Sequence, residues 1–501
     1  MTRIVVLGAG ICGLAAGLLL RRDGHEVTVL ERDPEPAPMS VQDAWQSWSR
    51  DGVTQFHQPH YLQSRGRIVL DDELSDVISG LDAVGALRFD MLRAMPPSIA
   101  DRTPRDGDER FKTVTARRPV LEQAFGRAAE AEMGLAVRRG VRVRELVMTA
   151  YDGTPHVSGV RTDSGEELRA DLVIDAMGRR SQLPRWLELG GAHPVHEEVE
   201  DSGFIYYTRY FRARNGKIPE FRAPPVTPLG TFSLLTLPAD NDTWSVTVFT
   251  SAGDQPLKRL RARDLWTAVV AACPRHAHWL DGEPTTDVVP MGGIVDRYRR
   301  FRVDDKPVAT GFASVGDAWA CTNPSNGRGM TLGLIHVQRL RDVIRAHLDD
   351  PVAFAEVWDA VTEAELAPWY RDNVAEDRVR IREIEALRYG HEPQCERRSW
   401  AELLAALRVA VLHDADAFRA HLAARSCLTR LEETFANPEF VERILEIARD
   451  TDPPPSAGPN RSELLALLST RSHQAAIRNW AQTGRSRLAG AGLSQQAHQN
   501  E

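Results

Sequence analysis

Apolar residues follow one another without interruption near the start of the chain. Ile4 to Leu7 form a short apolar run rich in β-branched side chains, which is typical of a buried parallel strand. An apolar stretch of helical length follows and is broken at residues 21–24, and a second strand-like run, Glu26 to Leu30, comes next. This order predicts a βαβ unit.

The pattern changes twice further along the chain. Between Ser202 and Thr250, aromatic and β-branched runs are separated by loops rich in Pro, Gly, Asn and Asp, which indicates an antiparallel sheet. From Pro351 to about Asp450 the apolar positions recur with helical spacing. Residues 76–98 are also predicted to be helical. The chain therefore predicts an α/β domain, an inserted sheet and a helical C-terminal part.

Three glycines lie between the first predicted strand and the helix. Gly8, Gly10 and Gly13 have the spacing G-x-G-x-x-G, and Glu31 closes the second strand. In a βαβ unit these glycines allow a tight turn, the approach of a pyrophosphate and close packing of helix on strand, and the acidic residue accepts hydrogen bonds from a ribose. The motif predicts a dinucleotide site, and it leaves open whether the dinucleotide is FAD or NAD(P).

Two later stretches also join a strand to glycines. DLVIDAMGRRS, residues 171–181, places Asp175 and Gly178 just past a buried strand. GDAWACTNPSNGRGMT, residues 316–331, runs from a strand end through several glycines into a helix that begins near Met330. Small residues there would let the flat ring of a bound cofactor lie against the backbone. The positive end of the helix would stabilise negative charge on such a ring.

Together the three motifs resemble the FAD-dependent monooxygenases of the para-hydroxybenzoate hydroxylase type, including the squalene-epoxidase-like and geranylgeranyl-reductase-like branches. They span residues 3–334. The resemblance implies an α/β fold in which a Rossmann-like FAD-binding domain carries an inserted antiparallel β-sheet substrate domain and a helical C-terminal region. The expected boundaries are 1–185 and 286–345 for the FAD-binding domain, 186–285 for the sheet and 346–501 for the helical region with its polar tail.

The resemblance also implies which residues bind non-covalent FAD. The ADP half is expected at Gly8, Gly10, Ile11, Cys12, Gly13, Glu31 and Arg32, with Val143 at the adenine and Arg118 beside the flavin chain. Asp175 and Gly178 belong to the motif that lies near both FAD and NAD(P)H in the family. Gly316 and Asp317 are expected to contact the ribityl chain. The residues expected to flank the isoalloxazine ring are Pro324, Asn326, Gly327, Gly329 and Met330. Arg50 is a candidate phosphate or ribityl contact, and a solvated surface arginine is the alternative.

The family's reaction implies NAD(P)H as co-substrate and oxygen transfer from O₂ through a flavin C4a-hydroperoxide, which needs neither a protein nucleophile nor a metal. The expected reaction is hydroxylation or epoxidation of a bulky, partly apolar organic molecule such as a polyketide, a terpenoid or an aromatic compound. His57, His60, Tyr207 and Arg209 are candidate substrate-side residues, and a structural role explains each of them equally well. The choice between NADPH and NADH is left open.

Three other functions stand as alternatives. A flavin-dependent C=C reductase of the geranylgeranyl-reductase type shares the same motifs. A flavin halogenase is disfavoured because the sequence has no W-x-W-x-I-P stretch. A non-catalytic flavin-binding protein would use its helical C-terminus to bind a partner.

Composition indicates which kinds of partner and which cell compartment fit the protein. A net charge of −8 over 501 residues gives no bulk attraction to nucleic acid or to an anionic membrane. The five cysteines are scattered without a C-x-x-C pair, which disfavours a disulfide framework or a zinc site and fits a reducing cytoplasm. Residues 4–20 carry the glycine motif rather than a signal-peptide pattern. A soluble, cytoplasmic enzyme acting on a small molecule is expected, and a homodimer is left open.

Overall fold

A computed structural model describes residues 2–393, 399–451 and 458–469. The strands of these residues are β1 Arg3–Leu7, β2 Glu26–Glu31, β3 Leu87–Asp90, β4 Lys112–Thr115, β5 Leu135–Arg139, β6 Val143–Tyr151, β7 Thr154–Thr162, β8 Glu167–Arg169, β9 Leu172–Asp175, β10 His196–Asp201, β11 Phe204–Arg212, β12 Val226–Leu229, β13 Phe232–Pro238, β14 Thr243–Ser251, β15 Glu283–Pro284, β16 Val289–Met291, β17 Val295–Arg300, β18 Arg302–Val303, β19 Lys306–Pro307, β20 Phe312–Ser314 and β21 Ala320–Cys321.

The α-helices of the same residues are α1 Ile11–Arg22, α2 Val41–Gln46, α3 Ser64–Glu73, α4 Ser75–Ala83, α5 Arg118–Ala131, α6 Leu183–Leu189, α7 Arg263–Ala271, α8 Gly329–His347, α9 Pro351–Val361, α10 Ala367–Arg388, α11 Trp400–Ala410, α12 Ala415–Arg425, α13 Leu431–Phe435, α14 Pro438–Asp450 and α15 Arg461–Leu468. Within the part of the chain that the structure describes, none of the helices combines the length and apolarity needed to cross a bilayer.

A five-stranded parallel sheet organises the N-terminal part, with the order β20-β9-β1-β2-β5. Alternate residues of β1 point to opposite faces, as strand geometry requires. Ile4 and Val6 pack on the side of α1, α5 and α8, whereas Val5 and Leu7 pack against the antiparallel sheet β6-β7-β8 and α6. Because β1 is central and its neighbours lie on both sides, ligands are expected in the crevice at the carboxyl ends of these strands.

A second, antiparallel sheet has the order β12-β13-β14-β11-β15, and β16 also pairs with β11. Its back face packs against α7 and α15 through residues such as Tyr207, Val246 and Trp266, with Leu464 from the last described helix. Its front face turns towards α10 and the crevice of the first sheet, and there Phe204, Tyr206 and Phe249 pack with Ile384. The sheet therefore forms one wall of the space above the parallel strands.

The C-terminal helices divide among three surfaces. Helices α8, α9 and the start of α10 join the core of the parallel sheet, with Phe354 and Trp358 buried there. Helices α11 to α14 form a cluster with residues 89–111, in which Phe418 and Phe111 are buried. Helix α15 lies on the back of the antiparallel sheet. The C-terminal part thus contacts both sheets rather than forming a separate unit.

The predicted fold class is confirmed. The prediction for residues 76–98 is wrong after Ala83, since Leu87–Asp90 is a strand that pairs with β4. Its partner lies more than twenty residues further along the chain, so local periodicity does not reveal the pairing. The bounds of the four predicted segments stay predictions, and the predicted polar tail lies outside the described residues.

A buried ion pair joins the antiparallel sheet to the segment that leads into α5 of the N-terminal part. Arg117 precedes α5, and Asp240 lies in the turn between β13 and β14. Arg117 donates from Nε to Asp240 Oδ1 at 3.0 Å and from Nη2 to Oδ2 at 2.5 Å, and the Arg117 backbone N–H donates to Oδ1 at 2.7 Å. Their side chains are 3% and 0% exposed, so neither charge has water as an alternative partner.

We expect Asp240→Ala to lower the free energy of unfolding by about 3–5 kcal/mol, because the Arg117 guanidinium would stay buried without its carboxylate. Denaturant unfolding followed by circular dichroism measures the loss. The control is Arg138→Ala, which breaks an exposed pair with Glu166 and should cost at most about 1 kcal/mol. Equal losses in the two variants would contradict the argument.

Candidate functional site

A cavity of about 380 Å³ opens at the carboxyl edge of the parallel sheet and extends to the front of the antiparallel sheet. The predicted cofactor residues that line it are Gly8, Gly10, Ile11, Cys12, Glu31, Arg32, Arg50, Arg118, Val143, Gly178, Gly316, Asp317, Pro324, Gly327, Gly329 and Met330. Three others, Gly13, Asp175 and Asn326, lie outside this lining. Residues from all three sequence motifs therefore face one space.

The first glycine motif leaves no room for side chains at two positions. Gly8 has φ +100°, and a Cβ there would lie 2.7 Å from the Ala176 carbonyl oxygen; a Cβ on Gly13 would lie 1.9 Å from the Gly8 oxygen. Gly10 differs, because nothing lies within 4 Å of its Cβ position. It is the N-cap of α1, with no side-chain cap and no acidic residue in the first turn. The free N–H groups of that turn suit a pyrophosphate.

Glu31 and Arg50 belong to a buried ion cluster. Glu31 Oε2 accepts from the Ala9 N–H at 2.8 Å, and Arg50 contacts the carboxylates of Glu31, Asp33 and Glu122 at 2.6, 3.0 and 2.6 Å. Each of the three guanidinium nitrogens of Arg50 thus faces a carboxylate. The structure places this arginine as a counter-ion for the acidic cluster, and Glu122 was missed by the sequence analysis.

Asp317 lies at the other end of the cavity, just after β20. Burial raises the pKa of its carboxyl group, and the charges of Arg118 and Arg179 only partly oppose the shift. No described residue donates a hydrogen bond to this carboxylate. A desolvated acceptor that faces a cavity without a protein partner fits the hydroxyl groups of a ribityl chain. Gly329 begins α8 here and is exposed towards the same space.

The residues predicted for the site but absent from the lining have structural partners. Asp175 is fully buried and accepts hydrogen bonds from the Met177 N–H at 3.0 Å and from the hydroxyl groups of Ser181 and Ser314. Burial raises the pKa of Asp175, and these bonds oppose that shift. Asn326 donates from Nδ2 to Asn373 Oδ1 at 2.7 Å. The Asp175 and Asn326 side chains therefore stabilise turns that form the cavity, from the side that faces away from it.

Strand alternation separates the candidate substrate residues. Tyr207 and Arg209 point to the back of β11, where Tyr207 joins the core with α7 and Arg209 lies over the Trp266 ring. The structure therefore does not bring either of them to the cavity. Tyr206, one position earlier than Tyr207, points to the front and lines the cavity. Which face of a strand meets a ligand depends on packing partners that lie far away in the sequence.

The two candidate histidines also separate. His57 is absent from the lining and packs edge-on against Trp45 and Phe56, with ring centroids 5.2 and 5.3 Å away. His60 lines the cavity, and its Nδ1 lies 2.9 Å from the Gln58 carbonyl oxygen, so Nδ1 carries the proton. Burial, with a smaller contribution from the Arg118 charge, lowers the pKa of His60 to about 3. The ring is therefore neutral at physiological pH.

The cavity wall on the side of the antiparallel sheet carries no charged side chain among the described residues. This wall, called the sheet-side wall below, consists of Gln58, Pro59, His60, Tyr61, Tyr206, Leu235, Thr247, Met291 and Ile294. The charged lining residues come instead from the nucleotide-binding motifs and their neighbours. Within the described ranges no group of three or more His, Cys, Asp or Glu residues could hold a metal ion.

Comparisons with known proteins agree with this geometry. Residues 6–66 match the family model of the NAD(P)-binding Rossmann-like domain. The chain is 30% identical to protein Rv3254 of Mycobacterium tuberculosis over 68% of this chain and 73% of the relative. It is 25% identical to kynurenine 3-monooxygenase of Xanthomonas campestris over 70% of this chain and 74% of the relative. The chain belongs to the FAD-dependent monooxygenases of the para-hydroxybenzoate hydroxylase type.

Solved structures show the same fold. PqsL of Pseudomonas aeruginosa superposes with a TM-score of 0.56 and 18% sequence identity, covering 77% of this chain and 99% of PqsL. As a member of the family named above, the chain is an FAD-dependent oxidoreductase, with FAD as cofactor and NAD(P)H as co-substrate. The resemblance drawn from the three motifs is confirmed at the level of this family.

We expect Asp317→Ala to raise the Kd for FAD about 10- to 100-fold, because the substitution removes a hydrogen-bond acceptor that faces the predicted cofactor site. The melting temperature of the FAD-free protein should stay equal or rise, since no protein partner loses a bond. Fluorescence titration with FAD and thermal unfolding measure the two quantities.

The matched control is Asp175→Ala, which removes a buried carboxylate that does have protein partners. Its melting temperature without FAD should fall. If Asp317→Ala destabilised the FAD-free protein as much as Asp175→Ala, then Asp317 would be a structural residue rather than a cofactor ligand.

Proposed function

We propose that this enzyme uses NAD(P)H and O₂ to hydroxylate or epoxidise a bulky, uncharged and partly apolar organic substrate. The observation that carries the proposal is the sheet-side wall, which lies beside the loop assigned to the flavin ring and has no charged side chain. Burying an unpaired charge against such a wall costs several kcal/mol, whereas an apolar molecule with hydroxyl or carbonyl groups finds both packing surface and hydrogen-bond partners.

Polar groups on this wall would orient the substrate. The Thr247 and Tyr206 side chains come from adjacent strands of the sheet, and the neutral His60 ring keeps Nε2 as a hydrogen-bond acceptor because Nδ1 bonds to Gln58. Leu235, Met291 and Ile294 supply apolar contact between these groups. We infer that the wall fixes which carbon of the substrate faces the ring and keeps bulk water away from it, while bound FAD supplies the oxygen-transfer chemistry.

The same wall argues against a free amino acid such as kynurenine, the compound for which one relative is named. Kynurenine is an amino acid with a carboxylate and an ammonium group, and such groups need charged or strongly polar partners when they are buried. The described sheet-side wall supplies no Arg, Lys, Asp or Glu. A polyketide, terpenoid or neutral aromatic compound fits it better than a free amino acid does.

The proposal predicts a charge preference that kinetics can measure. For a substrate and an analogue that differ only in a methyl ester versus a free carboxylate, we expect kcat/KM to be at least about tenfold higher for the ester, since an unpaired buried carboxylate costs more than about 1.4 kcal/mol. Oxygen uptake and NAD(P)H oxidation should rise together when the ester is added to the FAD-loaded enzyme.

Three results would overturn the proposal. A higher kcat/KM for the free acid would contradict the inferred substrate class. Reduction of a C=C bond with NAD(P)H under anaerobic conditions, without oxygen uptake in air, would replace the monooxygenase reaction by the reductase alternative. A purified protein that neither shows nor acquires the visible absorbance of oxidised flavin would refute a flavin enzyme altogether.

A further inference from the structure

The loop of residues 323–328, called the ring loop below, is the segment assigned to the flavin ring. Pro324 and Gly327 of this loop line the cavity, and Gly329 follows as the first residue of α8. The loop is short and contains one single-turn helix, Pro324–Asn326, so its shape is set mainly by what its polar side chains bond to. Most of those bonds lead away from the cavity.

Helix α10 receives most of these bonds. Ser325 donates from its hydroxyl to Asp377 Oδ1 at 2.6 Å, and Asn326 donates to Asn373 Oδ1 at 2.7 Å. Asn373 Nδ2 donates in turn to the Asn323 carbonyl oxygen at 3.3 Å and to Asp377 Oδ2 at 3.0 Å. Asn373 and Asp377 lie four residues apart and therefore share one face of the helix.

A third contact extends this connection. Arg328 donates from Nη1 to Glu376 of α10 at 3.0 Å and from Nη2 to the Ala424 carbonyl oxygen of α12 at 3.2 Å. Its guanidinium lies 5.6 Å from the centre of the Trp369 ring, which also belongs to α10. Three of the six residues of the ring loop thus place a side chain against α10.

The opposite end of the ring loop is tied to the substrate side. Tyr206 of the sheet-side wall donates from its hydroxyl to Asn323 Oδ1 at 2.8 Å, and the Asn323 N–H donates to Asp296 Oδ1 of β17 at 2.6 Å. Asn323 therefore bonds to the wall through its side chain and to Asn373 through its carbonyl group. One continuous set of hydrogen bonds runs from the substrate wall through the ring loop to α10.

Asp377 is the buried acid in this network, and its surroundings favour the neutral form of its carboxyl group. Burial raises the pKa of Asp377 to about 8, and the nearby Asp296 and Glu376 carboxylates add to the shift, while the bond from Ser325 opposes it. A side chain of this kind acts through hydrogen-bond geometry rather than through its charge. It can hold the loop without placing a full negative charge behind the ring.

We propose that Asn373 and Asp377 of α10 are positioning residues that hold the ring loop in the geometry needed to bind and align the flavin ring. The inference rests on the proposed function, because that function assigns the ring to this loop. The proposal gives the helical C-terminal region a part in cofactor alignment. Helix α10 contacts the ring loop on the side away from the cavity and so supports the backbone on which the ring would lie. Neither residue lines the cavity, so each acts through the ring loop rather than by touching substrate.

The test is Asn373→Leu, which keeps a similar volume and removes the bonds to Asn323 and Asn326. We expect the Kd for FAD to rise at least about tenfold, because the loop no longer has one defined conformation before the ring binds. The visible absorbance spectrum of bound FAD should shift as the contacts of the ring change. The fraction of NAD(P)H oxidation that yields product rather than hydrogen peroxide should fall.

A second, milder variant tests the same hydrogen bonds in case the first variant does not fold. Ser325→Ala removes only the hydroxyl that bonds to Asp377, and we expect a smaller change of Kd and spectrum in the same direction. The matched control is Asp254→Asn, which weakens a buried ion pair with Arg461 on the back of the antiparallel sheet. This control should lower the melting temperature and leave the Kd for FAD and the flavin spectrum unchanged.

The possible outcomes separate the two proposals. If the wild-type protein binds FAD, and Asn373→Leu and Ser325→Ala bind it with the wild-type Kd and spectrum, the positioning role is overturned while the proposed function stands. If Asp254→Asn changes the Kd and spectrum as much as Asn373→Leu does, a general loss of stability explains the effect and the positioning role is also overturned. If the wild-type protein binds no FAD, the proposed function fails first.

Discussion

The close approach of three backbone segments shapes the rest of the site. Gly8 follows the first strand, Gly13 lies on the next helix and Ala176 follows β9, and a Cβ at either glycine would overlap backbone atoms. This contact brings the N-terminus of α1 directly over the carboxyl edge of the sheet, where its free N–H groups face the cavity. The nucleotide end of the site therefore depends on the absence of side chains as much as on the residues present.

Charge is distributed unevenly around the cavity that results. At the nucleotide end, Arg50 pairs with three carboxylates, and its side chain is only 3% exposed, so the cluster is almost completely enclosed. Removing Arg50 would leave the buried Glu31 carboxylate without its cationic partner, so this pair fixes the position of Glu31. At the substrate end the wall is neutral, and even its histidine carries no charge. One cavity thus has a strongly polar end, which suits the predicted dinucleotide, and a weakly polar end, which suits the proposed organic substrate.

Much of this arrangement could be predicted from the sequence, because dinucleotide sites use local patterns. A strand, a turn of glycines, a helix and an acidic strand end follow one another within about thirty residues, and each has a recognisable residue preference. The later motifs around Gly178 and Asp317 are local in the same way. Strand pairing is not: Leu87–Asp90 pairs with residues 112–115, and nothing in its own sequence distinguishes it from the helix predicted there.

Side chains whose partners lie far away in the sequence are the part that could not be predicted. Glu122 reaches Arg50 across 72 residues, and Tyr206 differs from Tyr207 only in the face that it presents. The residues of α10 show the difficulty most clearly. Asn373 and Asp377 on a charged, amphipathic helix have the pattern of a solvated face, since polar residues four apart usually lie on the outside. Here that face is buried against the ring loop, so the polar stripe is satisfied by protein rather than by water. A polar helix face that lacks water must find its hydrogen bonds in another segment, and in this fold that segment is the one assigned to the flavin ring.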